Sequence, residues 1–245
     1  LAYHSVRDVP WRDDPWGLAV APRTLVRHIR LLRRRGYAFV TFGTLATGLA
    51  DKQAENLCSL TFDDGFADNL SVLVPLLEAE RATATVFVVS SMLGRTHPDA
   101  PWARTLTAEE VRAVHDAGVE VGGHGASHVD LTALGEGEVT ANLRRCRAEL
   151  GDILGTPPDV LAYPFGRADE TTRRAAEAAG FRAACRVGAV GNRDDPFDLP
   201  RAGMNSSSTT FGLRLKIQGR YDPLMRTAVG RAARSAWRRT RAPVH

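Results

Sequence analysis

Two adjacent carboxylates, Asp63 and Asp64, close an apolar run and precede Gly65. Two carboxylates crowded out of water are costly unless a cation or a proton neutralises one of them. Further along, His124 and His128 stand four apart, a spacing that on a helix puts two imidazoles on one face. Here Gly122, Gly123 and Gly125 mark a loop that wraps a metal instead. Two imidazoles and one carboxylate leave coordination positions open, the layout of a catalytic metal rather than of a closed structural site. A pair of aspartates before glycine is also an ordinary turn or helix start. Only the joint occurrence of the two motifs points to chemistry.

Dividing the labour between the carboxylates describes a hydrolase. Asp64 joins His124 and His128 on the metal, and Asp63 stays free as the general base for an attacking water. A backbone N–H steadies the tetrahedral oxyanion. A histidine then protonates the leaving amine. Of the seven histidines, only His4 sits in an apolar strand. A core histidine with satisfied hydrogen bonds is the other reading of that position. His97 falls in a loop flanked by proline, and His28 and His115 in helices among charges.

The elements that must position these groups alternate between strands and helices. Strands are expected at 1–6, 37–42, 57–62, 83–89, 119–123, 160–164, 181–187 and 199–202. Helices are expected at Pro22–Arg35, stopped by Gly36; at 68–80, interrupted or begun near Pro75; and from the Thr107/Glu110 capping box to about Ala117. Two more cover Glu136–Leu154 and 170–179. This alternation fits either a doubly wound sheet or an α/β distorted (β/α) barrel of about seven strands. The polar motifs all fall at strand ends, which favours the barrel, because barrels build their sites at one mouth.

Composition narrows the class. The 245 residues are 44% hydrophobic and 24% charged, as in an ordinary folded domain. No apolar run approaches the ~18 residues of a membrane span. Cys58, Cys146 and Cys185 are odd in number and lack CxxC spacing, which argues against a disulfide framework and a thiolate zinc cage. The formal charge of +4 is uneven: residues 212–245 carry nine Lys/Arg against one acid, leaving 1–211 mildly acidic. Nucleic-acid binding by the domain is therefore not expected. The division expected is a barrel at 1–211 and a basic helical extension at 212–245. In the extension, Met225, Val229, Ala233 and Trp237 line one face of a C-terminal basic amphipathic helix. That helix either docks on the domain or makes peripheral contact with an anionic membrane. Reduced cysteines lean toward the cytoplasm, and the basic tail toward the inner face of the membrane. A chain beginning at Leu1 leaves a removed leader, and so secretion, open.

The motifs TFDDG at 61–65, HxxxH at 124–128 and YPFG at 163–166 resemble those of the polysaccharide deacetylase family, carbohydrate esterase family 4. The resemblance covers roughly residues 1–205. It implies a metal-dependent enzyme on a distorted (β/α) barrel that removes acetyl groups from N-acetylated sugars. It assigns Asp63 as base and Asp64, His124 and His128 as ligands of a divalent metal, Zn2+ first, with Ni2+, Co2+ or Fe2+ as substitutes. It also assigns the Phe165 backbone N–H as oxyanion donor, with Tyr163 and Pro164 on the substrate side. The chain is similar to the circularly permuted poly-N-acetylglucosamine deacetylase branch, whose Tyr-His strand matches Tyr3-His4 and makes His4 the acid. The family's arginine before the proline is replaced by Ala162, so Arg201 is expected to steady the base. Trp102 and Met204 are the candidates for the subsite that lines the sugar.

The resulting expectation is a metal-dependent N-deacetylase acting on an amino-sugar in a glycan, glycolipid or sugar intermediate. A deformylase or deacylase of a lipid-linked sugar, or a carbohydrate O-acetyl esterase, keeps the same site with another substrate. A non-catalytic carbohydrate-binding protein has no need of a free carboxylate beside a metal. The metal's identity, the glycan's length and the oligomeric state are not written in the sequence.

Overall fold

The computed structural model describes residues 1–188, 191–221 and 227. The chain starts in β1 (Ala2–Tyr3) and passes through a long loop into α1 (Pro22–Arg34). Pro22 opens that helix, where its missing N–H costs nothing. β2 (Ala38–Phe39) is followed at once by α2 (Phe42–Ala50), then β3 (Leu57–Cys58) and β4 (Thr61–Phe62). A π-helical turn at Asn69–Leu73 runs into α3 (Val74–Ala79), and β5 (Thr85–Val88) follows. A hairpin of β6 (Thr96–His97) and β7 (Ala100–Arg104) precedes α4 (Ala108–Asp116) and β8 (Glu120–Gly123). The chain continues through α5 (Glu136–Leu154), β9 (Val160–Ala162), α6 (Glu170–Ala178), β10 (Ala183–Val187), β11 (Leu199–Arg201) and α7 (Thr210–Ile217).

Seven strands form one parallel sheet in the order β1-β4-β5-β8-β9-β10-β11. Its edges approach each other beyond β11, where Ala2 bridges Gly203, the Ala2 N–H donates to Ala202 O and the Met204 N–H donates to Ala2 O. The expected distorted barrel of seven strands is thus nearly closed. Alternation along the strands sends Thr61, Phe87, Ala162, Cys185, Leu199 and Arg201 to the inside. Phe42 plugs the opposite end from the mouth: its N–H donates to Thr85 Oγ1 and its ring meets Phe87 edge-on. The outward faces bury Tyr3, Phe62, Val86, Val88 and Val121 with α1, α3, α4 and α5, and Leu161 and Tyr163 with α5 and α6.

Several expectations are refined. The run 57–62 changes partners at Ser59: β3 pairs β2 in a separate small sheet, and β4 enters the barrel. The run 37–42 keeps only two residues as strand, because Thr41 caps a new helix by accepting the Thr44 N–H. The helix expected at 68–80 begins as a π turn and becomes α-helical just before Pro75, which cannot donate a helical N–H. The capping box of α4 is present as expected. α7 starts at Thr210 and buries Leu213 in the main core. The amphipathic face of Met225, Val229, Ala233 and Trp237 lies outside the described residues. Among the described residues, no helix is long and apolar enough to cross a membrane.

Candidate active site

The strand ends meet around a cavity of about 460 Å³, whose wall includes His4, Asp63, Asp64, His97, His124, His128 and Phe165. Asp63 continues the inward alternation of β4, its N–H bonded to Tyr3 O. Strand geometry would turn Asp64 to the other face. Instead Asp64 (φ +69°) and Gly65 (φ +66°) are both left-handed, which swings the second carboxylate into the same mouth. Aspartate tolerates that conformation better than most residues, and Gly65 packs too tightly on Val88 to carry much more.

The two carboxylates have different neighbours. Arg201 grips Asp63 with two bonds, Nη1 to Oδ1 at 2.7 Å and Nη2 to Oδ2 at 2.9 Å, and also donates to Thr61 Oγ1 at 2.6 Å. Both partners of the pair are buried, and the guanidinium lies 5.3 Å from the Phe87 ring centre. Burial alone would push the Asp63 carboxyl up, but the charges of Arg201 and His124 outweigh it and hold it below the ordinary value.

Asp64 faces imidazoles. Its Oδ1 is 3.3 Å from His124 Nε2 and 3.3 Å from His128 Nε2, and its Oδ2 is 3.4 Å from His97 Nε2. Oδ1 is buried without a hydrogen-bond partner among the described residues. His124 Nδ1 lies 2.7 Å from Ala162 O, so it carries a proton and donates there. In the neutral ring that leaves Nε2 with its lone pair turned toward Asp64. Four-coordinate zinc with bonds of about 2.0–2.1 Å sets neighbouring ligand atoms about 3.3–3.4 Å apart. The spacing from Oδ1 to each imidazole matches that edge, so Asp64, His124 and His128 fit a divalent ion. Burial opposes charge on Asp64, but His124, His97 and His4 around it override burial and hold it well below the usual carboxylate range. Burial pushes His128 down to about 4, which leaves it in the neutral, ligating form at pH 7.

Loop geometry sets the histidines. Gly125 is left-handed (φ +79°), and a Cβ there would sit 3.1 Å from Ser127 O and 3.2 Å from Asn142 Oδ1. Asn142 of α5 clamps the turn by accepting the Ala126 N–H and donating to Ser127 Oγ. The HxxxH segment is a loop, as expected. His4 borders the cavity on a segment tied down by Asp68, which accepts Ser5 Oγ–H and the Val6 N–H, and by Asn69, which donates to His4 O. Phe165 is left-handed (φ 58°), half exposed, and its ring packs 4.5 Å from that of His128.

Four of the residues read from sequence as contacting substrate do not border the cavity. Tyr163 is fully buried and donates its hydroxyl to Phe197 O, and Pro164 is buried against Gly125. Met204 lies in the main core beside the barrel seam. Trp102 stacks on Phe66 (5.9 Å, 7°) behind the cavity wall. The aromatics that do border the cavity are Phe165 and Trp16, the latter 67% exposed on the loop between β1 and α1. Sequence reasoning passed over Trp16 because that loop has no periodicity. It passed over His97 because the two prolines of its segment disguise a hairpin.

Comparison with known proteins agrees with this architecture. Residues 50–184, more than half of the chain, match the family described as "Polysaccharide deacetylase". The "Putative polysaccharide deacetylase YxkH" of Bacillus subtilis is 26% identical over 184 residues, which are 74% of this chain and 61% of that protein. The chain thus spans about three-fifths of that relative's length. The fold is similar to that of Streptococcus pyogenes deacetylase PplD in complex with acetate (TM-score 0.74, 22% identity, 87% of this chain and 95% of the other). It is similar also to that of IcaB from Ammonifex degensii (TM-score 0.71, 22% identity, 90% and 95%).

Proposed function

The chain belongs to the polysaccharide deacetylase family, and on that premise we propose that it is a divalent-metal-dependent N-deacetylase. Its substrate would be the acetamide of an N-acetylated amino-sugar within a glycan, glycolipid or sugar intermediate. One observation carries the reading: two adjacent buried carboxylates with separate partners, one held by Arg201 and the other 3.3 Å from two imidazoles.

Asp64, His124 and His128 would hold the ion, zinc being the first choice for this donor set. A divalent ion there supplies Lewis acidity to the attacking water and the amide carbonyl. Asp63 accepts the proton as the water oxygen bonds to the carbonyl carbon. Arg201 keeps that carboxylate charged and fixes its plane, at some loss of basicity. The left-handed turn at Phe165 presents its N–H to the oxygen on which charge develops. His4, on the cavity wall, delivers a proton to the nitrogen as the C–N bond breaks, giving acetate and a free amine.

The test is acetate release from N-acetylglucosamine oligomers by protein loaded with one equivalent of Zn2+, against chelated protein and Asp63→Asn. Activity that needs the metal and collapses in Asp63→Asn supports the proposal. Full activity in Asp63→Asn refutes the role of the base. Faster release from formylated or O-acetylated sugars replaces the acyl group or the linkage assigned here.

A further inference from the structure

His97 contributes nothing to the reaction as set out above, yet it is 1% exposed and sits at the wall of the cavity. Its placement is built from two sides. The β6–β7 hairpin is stitched to the loop that carries Asp64 by the Phe66–Thr105 bridge, by the Ala67 N–H to Arg104 O, and by the Leu106 N–H to Gly65 O. The Phe66 ring stacks on Trp102 (5.9 Å, 7°) and packs tilted against His97 (4.9 Å, 36°), so aromatic rings back the imidazole.

The hydrogen bonds of His97 are the reverse of those of His124. His97 Nδ1 accepts the N–H of Asp99 at 3.1 Å, so in the neutral ring the proton is on Nε2. That nitrogen is buried and makes no hydrogen bond among the described residues, and Asp64 Oδ2 lies 3.4 Å from it. An N–H is no metal ligand, but it is a donor within reach of a carboxylate that has no other partner on that side among the described residues. Two imidazoles thus face Oδ1, and a third faces Oδ2.

We propose that His97 is a positioning residue, donating from Nε2 to Asp64 Oδ2 so that Oδ1 alone is presented to the ion beside His124 and His128. The proposal rests on the metal-site reading above. Its physical content is the general one that a partner on the far oxygen fixes a ligand's plane and spares it reorganisation on binding. Holding Oδ2 also keeps the carboxylate monodentate, which suits a four-coordinate site with one position left for water or substrate.

Two variants separate this role from its competitors. In His97→Gln the amide nitrogen reaches about where Nε2 was and can still donate to Asp64. In His97→Asn the amide oxygen can still take the Asp99 N–H, but the side chain is too short to reach Asp64. Zinc affinity of the purified chain, measured by competition with a chromophoric chelator, is expected to fall roughly 10–100-fold in His97→Asn. His97→Gln is expected to stay near wild type, and the melting temperatures of the metal-free proteins to be unchanged. Wild-type affinity in His97→Asn overturns the proposal. Equal losses in both variants also overturn it, because a direct imidazole ligand is not rescued by an amide donor. If His97→Asn does not fold, His97→Phe replaces it, keeping the packing on Phe66 without the donor. Failure of the wild-type chain itself to bind a divalent ion would sink the metal-site reading, a result distinct from any pattern among the variants.

Discussion

Asp63 and Asp64 are neighbours in sequence, equally buried and chemically identical, yet they occupy different worlds. Asp63 stays in register with β4 and points into the barrel, where Arg201 and Thr61, both from inward strand positions, enclose it. Asp64 is taken out of register by a left-handed backbone and points among the imidazoles of His124 and His128 on one loop and of His97 on the β6–β7 hairpin. The barrel wall supplies a permanent cation and hence a carboxylate complete in itself. The mouth supplies imidazoles and a carboxylate with no permanent cation beside it, the donor set that the proposed divalent ion would complete. One flipped residue divides a carboxylate held by an arginine from one set among imidazoles.

The sharpest way to break this contrast is Asp64→Ala. It is expected to remove the bound ion and reduce acetate release to background, as measured by elemental analysis beside the assay. Retention of one equivalent of metal would place the ion elsewhere. Next comes Asp63→Asn, which is expected to lower kcat by about 10²–10⁴-fold while metal stoichiometry stays at wild type. Loss of metal in that variant would merge the two roles.

Removing Arg201 tests the wall rather than the mouth. Stripping one partner from a buried ion pair costs about 3–5 kcal/mol, so Arg201→Met should be strongly destabilised in urea unfolding. The pH profile carries the sign. On the proposed mechanism Asp63 must be ionised to accept a proton, so its depressed pKa is expected to set the acid limb of kcat/KM at low pH. Without the guanidinium, burial dominates, the pKa rises and the acid limb moves to higher pH. An unmoved limb would show that Arg201 does not set the charge of Asp63. The smallest effect is at the rim. Trp16→Ala should raise KM for an oligosaccharide with little change in kcat, since an exposed ring offers stacking area and touches no reacting atom.

How far the molecule was legible follows the same division. α1, α4, α5 and α6 announce themselves through apolar periodicity and end signals, such as the Thr107/Glu110 box and Gly36. The HxxxH spacing, the strand-end aspartates and even Arg201 could be named, because each stands beside a recognisable strand. α2 was hidden by two glycines in nine residues, which weaken any helical signal. The β6–β7 hairpin was hidden by Pro98 and Pro101. With it went His97, whose tertiary approach to Asp64 no local pattern encodes. Met204 and Trp102 lie off the cavity for the opposite reason. Large apolar side chains more often fill a core than line a subsite, and here one is in the core and the other in a ring stack.

The most direct test of the account is anomalous diffraction at the zinc edge from crystals of the chain grown with Zn2+. The account predicts one strong peak about 2 Å from Asp64 Oδ1, His124 Nε2 and His128 Nε2, with Asp63 still paired to Arg201 and unbound. A peak bonded to Asp63, or one that leaves Asp64 outside its coordination shell, would contradict it.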